Sequence, residues 1–139
     1  MRVSAMSVVA SAALSLVLVS SVPVSAADYT IDGSEIIMAV GMGQTSDGMS
    51  LDRLLLEMEG NTVHVNGAFV FTTQTEGSTF YVGVGDNIPR LICAQKSKEK
   101  RIAAMDTVKK IGGYNIVGTY DVFTGGVIYL TECDFEYIP

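Results

Sequence analysis

Ten residues near the middle of the chain decide its fold, and they read Thr62-Val63-His64-Val65-Asn66-Gly67-Ala68-Phe69-Val70-Phe71. Apolar side chains recur with a period of two, which is typical of a strand with one buried face. We expect the odd-numbered apolar residues from Val63 to Phe71 to share that buried face. His64 and Asn66 then lie on the opposite face. Gly67 stands in mid-strand and predicts a bulge or sharp bend there.

The same alternation predicts four further strands, over residues 79–85, 88–94, 114–123 and 127–133. In the second of the five strands, Phe80, Val82 and Val84 face inwards and Tyr81 faces outwards. Pro89 stands near the start of the third strand, where a strand tolerates proline.

Helical spacing accompanies these strands. Ser50 is the predicted N-cap of a helix whose apolar residues recur at helical spacing until Gly60 ends it: Leu51, Leu54, Leu55 and Met58. A short helix over 35–40 is predicted upstream. Between the third and fourth strands, a helix over 99–110 is expected to close one end of the fold through three residues at three-residue steps: Ile102, Met105 and Val108.

The order of elements is therefore three strands, one helix and two strands. Gly67 and Gly118 occupy the same relative position in the first and fourth strands. This pattern predicts a mainly β protein: a five-stranded OB-fold Greek-key barrel, with a helix between strands three and four and a short helical N-terminal segment. A generic β-sandwich or open sheet is the alternative, but it explains neither the helix's position nor the paired glycines.

The N-terminus has the pattern of a cleavable signal peptide. Arg2 is the only early charge, an apolar run follows, and small residues occupy Val24-Ser25-Ala26. A permanent membrane anchor is the alternative, but the apolar core of about a dozen residues is too short for a ~30 Å bilayer. We expect cleavage after Ala26 or Ala27 and a periplasmic or secreted product with no membrane span. The domains are then a signal peptide over 1–26, an N-terminal extension over 27–49 and an OB-fold domain over 50–139.

Charge and cysteine content agree with an exported protein. The chain carries 9 basic and 15 acidic residues, and loss of Arg2 lowers its net charge from −6 to −7. Such a surface repels phosphate backbones, so nucleic acid is a disfavoured partner. Cys93 and Cys133 lie near the ends of the third and fifth strands, which pair in an OB barrel, and we expect them to form a disulfide. Two buried free thiols are the alternative, because the parity of the fifth strand is ambiguous.

Five segments between residues 50 and 133 carry a resemblance to a known family: 60–67, 81–86, 91–93, 114–118 and 127–133. Their apolar, glycine and cysteine positions resemble the small bacterial secreted OB-fold proteins that are grouped by likeness to tRNA-anticodon-binding domains. The family often has a lysine-glycine-acidic turn before strand four, where this chain has Lys110-Ile111-Gly112-Gly113. The resemblance implies the OB-fold and specifies no activity.

The sequence contains no recognisable catalytic or metal-binding set. His64 is the single histidine, and Gly83-Val84-Gly85 lacks the third glycine of a dinucleotide site. The alternating carboxylates at 132, 134 and 136 are interpreted as a solvated tail. We therefore predict no enzyme activity, no cofactor and no metal.

The predicted function is a non-catalytic OB-fold binding module for a protein, a peptide or a small ligand. By analogy with other OB-folds, we expect the ligand to meet the outward side of strands one to three, near five residues: His64, Asn66, Thr79, Tyr81 and Arg90. The alternative is a nucleic-acid-binding or nuclease-like OB protein. A basic run over 96–101, with Lys109 and Lys110, would then contact the phosphates. A solvated helix face also accounts for that run.

Overall fold

Six strands and three helices follow one another over residues 27–139, the part of the chain that the computed structural model describes. In chain order they are β1 (Asp28–Asp32), α1 (Gly33–Met42), α2 (Leu51–Met58), β2 (Thr62–Glu76), β3 (Thr79–Gly85), β4 (Pro89–Gln95), α3 (Lys98–Thr107), β5 (Gly112–Thr124) and β6 (Val127–Ile138). The predicted signal peptide lies outside the described residues. The prediction of a mainly β protein is confirmed.

Five of the strands form a closed ring. The sheet has the order β1-β2-β3-β4-β6-β5, and β2 also pairs with β5, which joins the two ends of the ring. The ring pairs are antiparallel except for β4 and β6, which run parallel. Strand β2 is long enough to pair with β5 over residues 62–70 and with β3 over residues 70–76. The interior of the ring is the hydrophobic core.

The bulge predicted at Gly67 is present, and it reverses the parity of β2. Gly67 has a φ of +66°, and the register with β5 shifts between Val65 and Ala68. Beyond the bulge, Ala68 is buried and Phe69 is 45% exposed. The prediction that the odd-numbered residues share one face throughout is therefore wrong after Gly67, because one extra residue exchanges the two faces of a strand.

Helix α2 confirms the capping pattern seen in the sequence. The Ser50 hydroxyl accepts a hydrogen bond from the backbone N–H of Arg53 and caps the helix. Leu54 and Met58 are fully buried, so the predicted apolar stripe packs on the core.

Helix α3 presents a different face to the ring from the one that the sequence predicts. Ile102 is 50% exposed and Met105 is 41% exposed, whereas Ala104 and Val108 are buried. The first turn is tied down by the Arg101 guanidinium, which donates hydrogen bonds to the carbonyls of residues 78 and 96. These bonds connect the first turn of the helix to the turn between β2 and β3 and to the segment that follows β4. The predicted packing of Ile102 and Met105 is therefore wrong.

The segment 27–49 contributes to the same sheet. Strand β1, which the sequence does not predict, pairs in parallel with the first half of β2, and Thr30 lies opposite His64. Helix α1 packs on β2 and β4. Its first residue, Gly33, approaches β2 so closely that an added Cβ would lie 2.8 Å from the Cα of Ala68. Ile36 and Ala39 of this helix are buried.

Cys93 and Cys133 form the predicted disulfide, which links β4 to β6 with a Cα–Cα separation of 6.1 Å. The parity of β6, ambiguous in the sequence, is decided by a second irregularity. Glu132 has a φ of +51°, and the register between β5 and β6 shifts between Val117 and Thr119. Leu130 and Cys133 are consequently both buried although they are three residues apart.

Candidate functional site

The five predicted ligand-binding residues lie in three different environments in the structure. Thr79 and Tyr81 stand two residues apart on β3, and both are partly exposed. Arg90 lies on β4 beneath α1. His64 and Asn66 lie on the part of β2 that pairs with β1.

A shallow depression on the outer face of the ring surrounds Tyr81. It has a volume of about 260 Å³ and is lined by Gln74, Glu76, Tyr81, Ile92 and Tyr129. The register explains the grouping, because Tyr81 lies opposite Gln74 on β2 and Ile92 lies opposite Tyr129 on β6. We call this depression the tyrosine face.

Four of the five lining residues were missed by the sequence analysis. Ile92 stands between buried Leu91 and Cys93, and Tyr129 stands between buried Ile128 and Leu130. Because side chains alternate between the two faces of a strand, this position could have identified both residues as outward-facing. Gln74 and Glu76 lie between the stretch 62–71 and the strand predicted over 79–85, so the sequence places them in neither strand. In the structure they belong to the far end of β2, which continues to residue 76 as one arm of the hairpin with β3.

Arg90 occupies a different environment, a cleft of about 300 Å³ that helix α1 covers. Its Nε lies 3.8 Å from the Asp86 carboxylate, beyond hydrogen-bond distance, and makes no hydrogen bond within the described residues. Apolar side chains of α1 surround it, with Met38 and Met42 lining the cleft. The structure does not bring Arg90 into the tyrosine face.

His64 contacts β1. Its Nε2 lies 3.2 Å from the Asp28 carboxylate, and its side chain is 34% exposed. Asn66 is exposed and lies opposite Asp32 of β1. Among residues 27–139, no cluster of three or more histidine, cysteine, aspartate or glutamate side chains has the arrangement of a metal site.

Several cations of the basic run are engaged in contacts within the chain. The Lys100 ammonium lies 2.8 Å from the Asp134 carboxylate, and this hydrogen bond raises the pKa of Lys100. Arg101 bonds backbone carbonyls, and the Lys110 ammonium lies 5.4 Å from the ring centre of Tyr137. These groups therefore hold α3 and its flanks in place.

The carboxylates at 132, 134 and 136 belong to β6 and not to a tail, but Asp134 and Glu136 are exposed to solvent, as the sequence interpretation states. Glu132 accepts hydrogen bonds from the backbone N–H groups of Lys96 and Ser97 at 2.9 and 3.3 Å. Burial tends to raise the pKa of Glu132, but the hydrogen bonds from Ser97 and Lys96 outweigh it and the pKa is lowered. Glu132 thus anchors the start of α3 to the ring.

Within residues 27–139, no helix combines the length and the apolar character that a membrane span requires. No protein-family model matches the chain, and a search of curated proteins finds no significant match.

Proposed function

We propose that this chain is an exported, non-catalytic OB-fold binding module that holds a protein, a peptide or a small ligand at the tyrosine face. The ring supports the OB-fold assignment. Its strand order β2-β3-β4-β6-β5, its closure by the β2–β5 pair and its parallel β4–β6 pair agree with a five-stranded Greek-key barrel. Helix α3 lies between the third and fourth ring strands in chain order, which agrees with the layout predicted from the sequence.

The disulfide supports export, because such bonds persist in oxidising compartments such as the periplasm and the cell exterior. The signal-peptide pattern at the N-terminus agrees with this location.

The observation that carries the function is the pair of tyrosines in one depression. Tyr81 and Tyr129 are both partly buried, so part of each side chain is packed against the protein and part remains exposed to a ligand. Tyrosine rings pack against flat or apolar groups, and their hydroxyls form hydrogen bonds. Gln74 and Glu76 add polar groups to the lining, and Ile92 adds an apolar one. This chemistry suits an uncharged or weakly cationic ligand with an apolar or ring-shaped part.

The charges favour this function over nucleic-acid binding. The tyrosine face contains a carboxylate among its five lining residues, and none of those five is lysine or arginine. OB-folds that hold single strands combine aromatic platforms with a positive groove. Here Lys100, Arg101 and Lys110 are occupied by contacts within the chain.

Nuclear magnetic resonance titration of ¹⁵N-labelled protein tests the proposal. The probes are a tryptophan-containing tripeptide, an N-acetylglucosamine trimer and a ten-residue oligothymidylate. We expect the tripeptide or the sugar to shift the amide signals of Tyr81, Ile92 and Tyr129. Tyr81→Ala and Tyr129→Ala should each weaken that binding about ten-fold or more, the scale for an anchoring aromatic residue.

Phe69→Ala is the matched control, because Phe69 is an exposed aromatic residue on another part of the ring. It should leave the affinity unchanged. Shifts confined to residues outside the tyrosine face would contradict the proposed site. Oligothymidylate binding that weakens steeply with salt would instead favour the nucleic-acid alternative.

A further inference from the structure

Among residues 27–139, the outer edge of β1 pairs with no other strand. Within this range, β1 pairs with β2 along one edge only. The carbonyl of Ala27 accepts a hydrogen bond from the N–H of Thr62, and in a parallel ladder alternate residues of a strand bond to the same neighbour. Tyr29 and Ile31 therefore bond to β2. The backbone N–H and C=O groups of Thr30, which is exposed, point away from β2. The even-numbered neighbours of Thr30 also direct backbone groups towards this outer edge.

A cleft of about 330 Å³ adjoins this open edge. It is lined by Tyr29, Thr30, Ile31, Asp32, Glu35, Thr45, Ser46, Asp47 and Met49. Its far wall is the turn over residues 45–49, which α1 holds in place. The Glu35 carboxylate accepts hydrogen bonds from the backbone N–H and the hydroxyl of Ser46, at 2.7 and 2.6 Å. The cleft thus has a strand edge on one side and a fixed wall on the other.

The cleft is negatively charged. Asp32, Glu35 and Asp47 line it, and none of its nine lining residues is lysine or arginine. The nearby Arg53 is paired with Glu57 at 3.0 Å. A cationic occupant would therefore find several carboxylates without a basic partner in the cleft.

We propose that the outer edge of β1 and this cleft bind an extended, basic peptide segment, which adds a strand to the sheet. Added strands of this kind derive affinity from main-chain hydrogen bonds and selectivity from side-chain contacts. Lysine or arginine side chains of the segment would reach Asp32, Glu35 and Asp47. A second copy of this chain is disfavoured, because pairing two β1 edges would bring the like charges of Asp28 and Asp32 together. The site shares no residue with the tyrosine face, so this inference goes beyond the proposed function.

Fluorescence anisotropy with a labelled peptide of alternating lysine and valine tests the proposal. We expect saturable binding that weakens as salt screens the charges. A peptide in which proline replaces two valines should bind much less, because proline donates no backbone hydrogen bond. A glutamate-valine peptide should not bind.

Two variants of the protein separate the charge from the strand edge. Asp32→Asn removes one charge while keeping an N-cap residue, and the Asp32 side chain makes no capping hydrogen bond that would be lost. It should weaken binding about two- to five-fold, the factor for one exposed charge pair. Thr30→Pro removes the outward N–H and should abolish binding. Asp106→Asn on α3 is the matched control and should have no effect, because Asp106 is exposed on a helix that does not line the cleft.

Four results would overturn the proposal, and the last of them concerns Tyr81→Ala. The first is absence of saturable binding by the lysine-valine peptide. The second is binding that Asp32→Asn and proline in the peptide both leave unchanged. The third is concentration-dependent dimerisation, detected by size-exclusion chromatography, that Thr30→Pro abolishes, because it would identify a second copy as the occupant. Tyr81→Ala distinguishes the two sites: loss of peptide binding in this variant alone would place the peptide on the tyrosine face and contradict the β1 site.

Discussion

Removal of the disulfide should cost this domain a large part of its stability. The bond joins Cys93 to Cys133 across a sequence separation of 40 residues, and both cysteines are buried. A cross-link restricts the unfolded chain, and for a loop of this length the chain-entropy model gives a stabilisation of about 4 kcal/mol. A typical domain has a free energy of unfolding of only about 5–15 kcal/mol.

The test is urea unfolding of the oxidised protein, of the reduced protein and of the double variant Cys93→Ala/Cys133→Ala. Reduction should lower the free energy of unfolding by about 4 kcal/mol and the Tm by roughly 15 °C. The dependence of the unfolding free energy on urea should become steeper, since the uncrosslinked chain exposes more surface. The reduced protein keeps both sulfur atoms in the core, so it controls for the packing that the double variant also loses.

A loss below about 1 kcal/mol on reduction would refute this reasoning. It would mean that the native contacts between β4 and β6 maintain the stability of the fold without the cross-link. Alternatively, the reduced unfolded chain would be restricted in its conformations about as much as the cross-linked one. An unchanged urea dependence together with a large loss of stability would also contradict the entropic account.

Three other predictions follow from the packing of β5, β6 and α3. Gly118→Ala should destabilise the fold by about 1–3 kcal/mol in thermal unfolding, because its Cβ would lie 2.7 Å from the Sγ of Cys133. Ala104→Asp should lower the free energy of unfolding by about 3–5 kcal/mol, whereas Met105→Asp should change it by less than about 1 kcal/mol, since Ala104 is 2% exposed and Met105 is 41% exposed; equal effects would contradict the observed face of α3. Glu132→Ala should cost about 1–2 kcal/mol at pH 7. Because the folded protein lowers the pKa of Glu132 from 4.5, its contribution is present above pH 4.5 and lost as the pH falls through the lowered value, so the variant should show a weaker loss of stability in acid.

The sequence by itself determined the features that depend on neighbouring residues. The period of two predicts β3, where Phe80, Val82 and Val84 are buried as expected. The cap at Ser50 and the apolar stripe behind it predict α2. Such patterns can be recognised in a sequence because side-chain periodicity and capping depend on residues that are close together in the chain.

Other features depended on where distant segments meet. The bulge at Gly67 could be predicted, but the reversal of parity that exposes Phe69 is set by pairing with β5. The buried face of α3 depends on how the helix packs on the ring, where Ala104 and Val108 are buried and Ile102 and Met105 are exposed. The three-residue spacing of apolar residues along α3 does not determine which face of the helix is buried. The sequence therefore predicts the approximate position of this helix but not which of its residues are buried.

The candidate sites show the same division. Tyr81 could be selected as an outward aromatic residue from alternation alone. Its grouping with Gln74, Ile92 and Tyr129 comes from the register of four strands, which only the tertiary structure decides. Strand β1 has five residues and no clear pattern of its own, so its pairing depends on the free edge of β2. The open edge and acidic cleft beside it are for that reason absent from the sequence analysis.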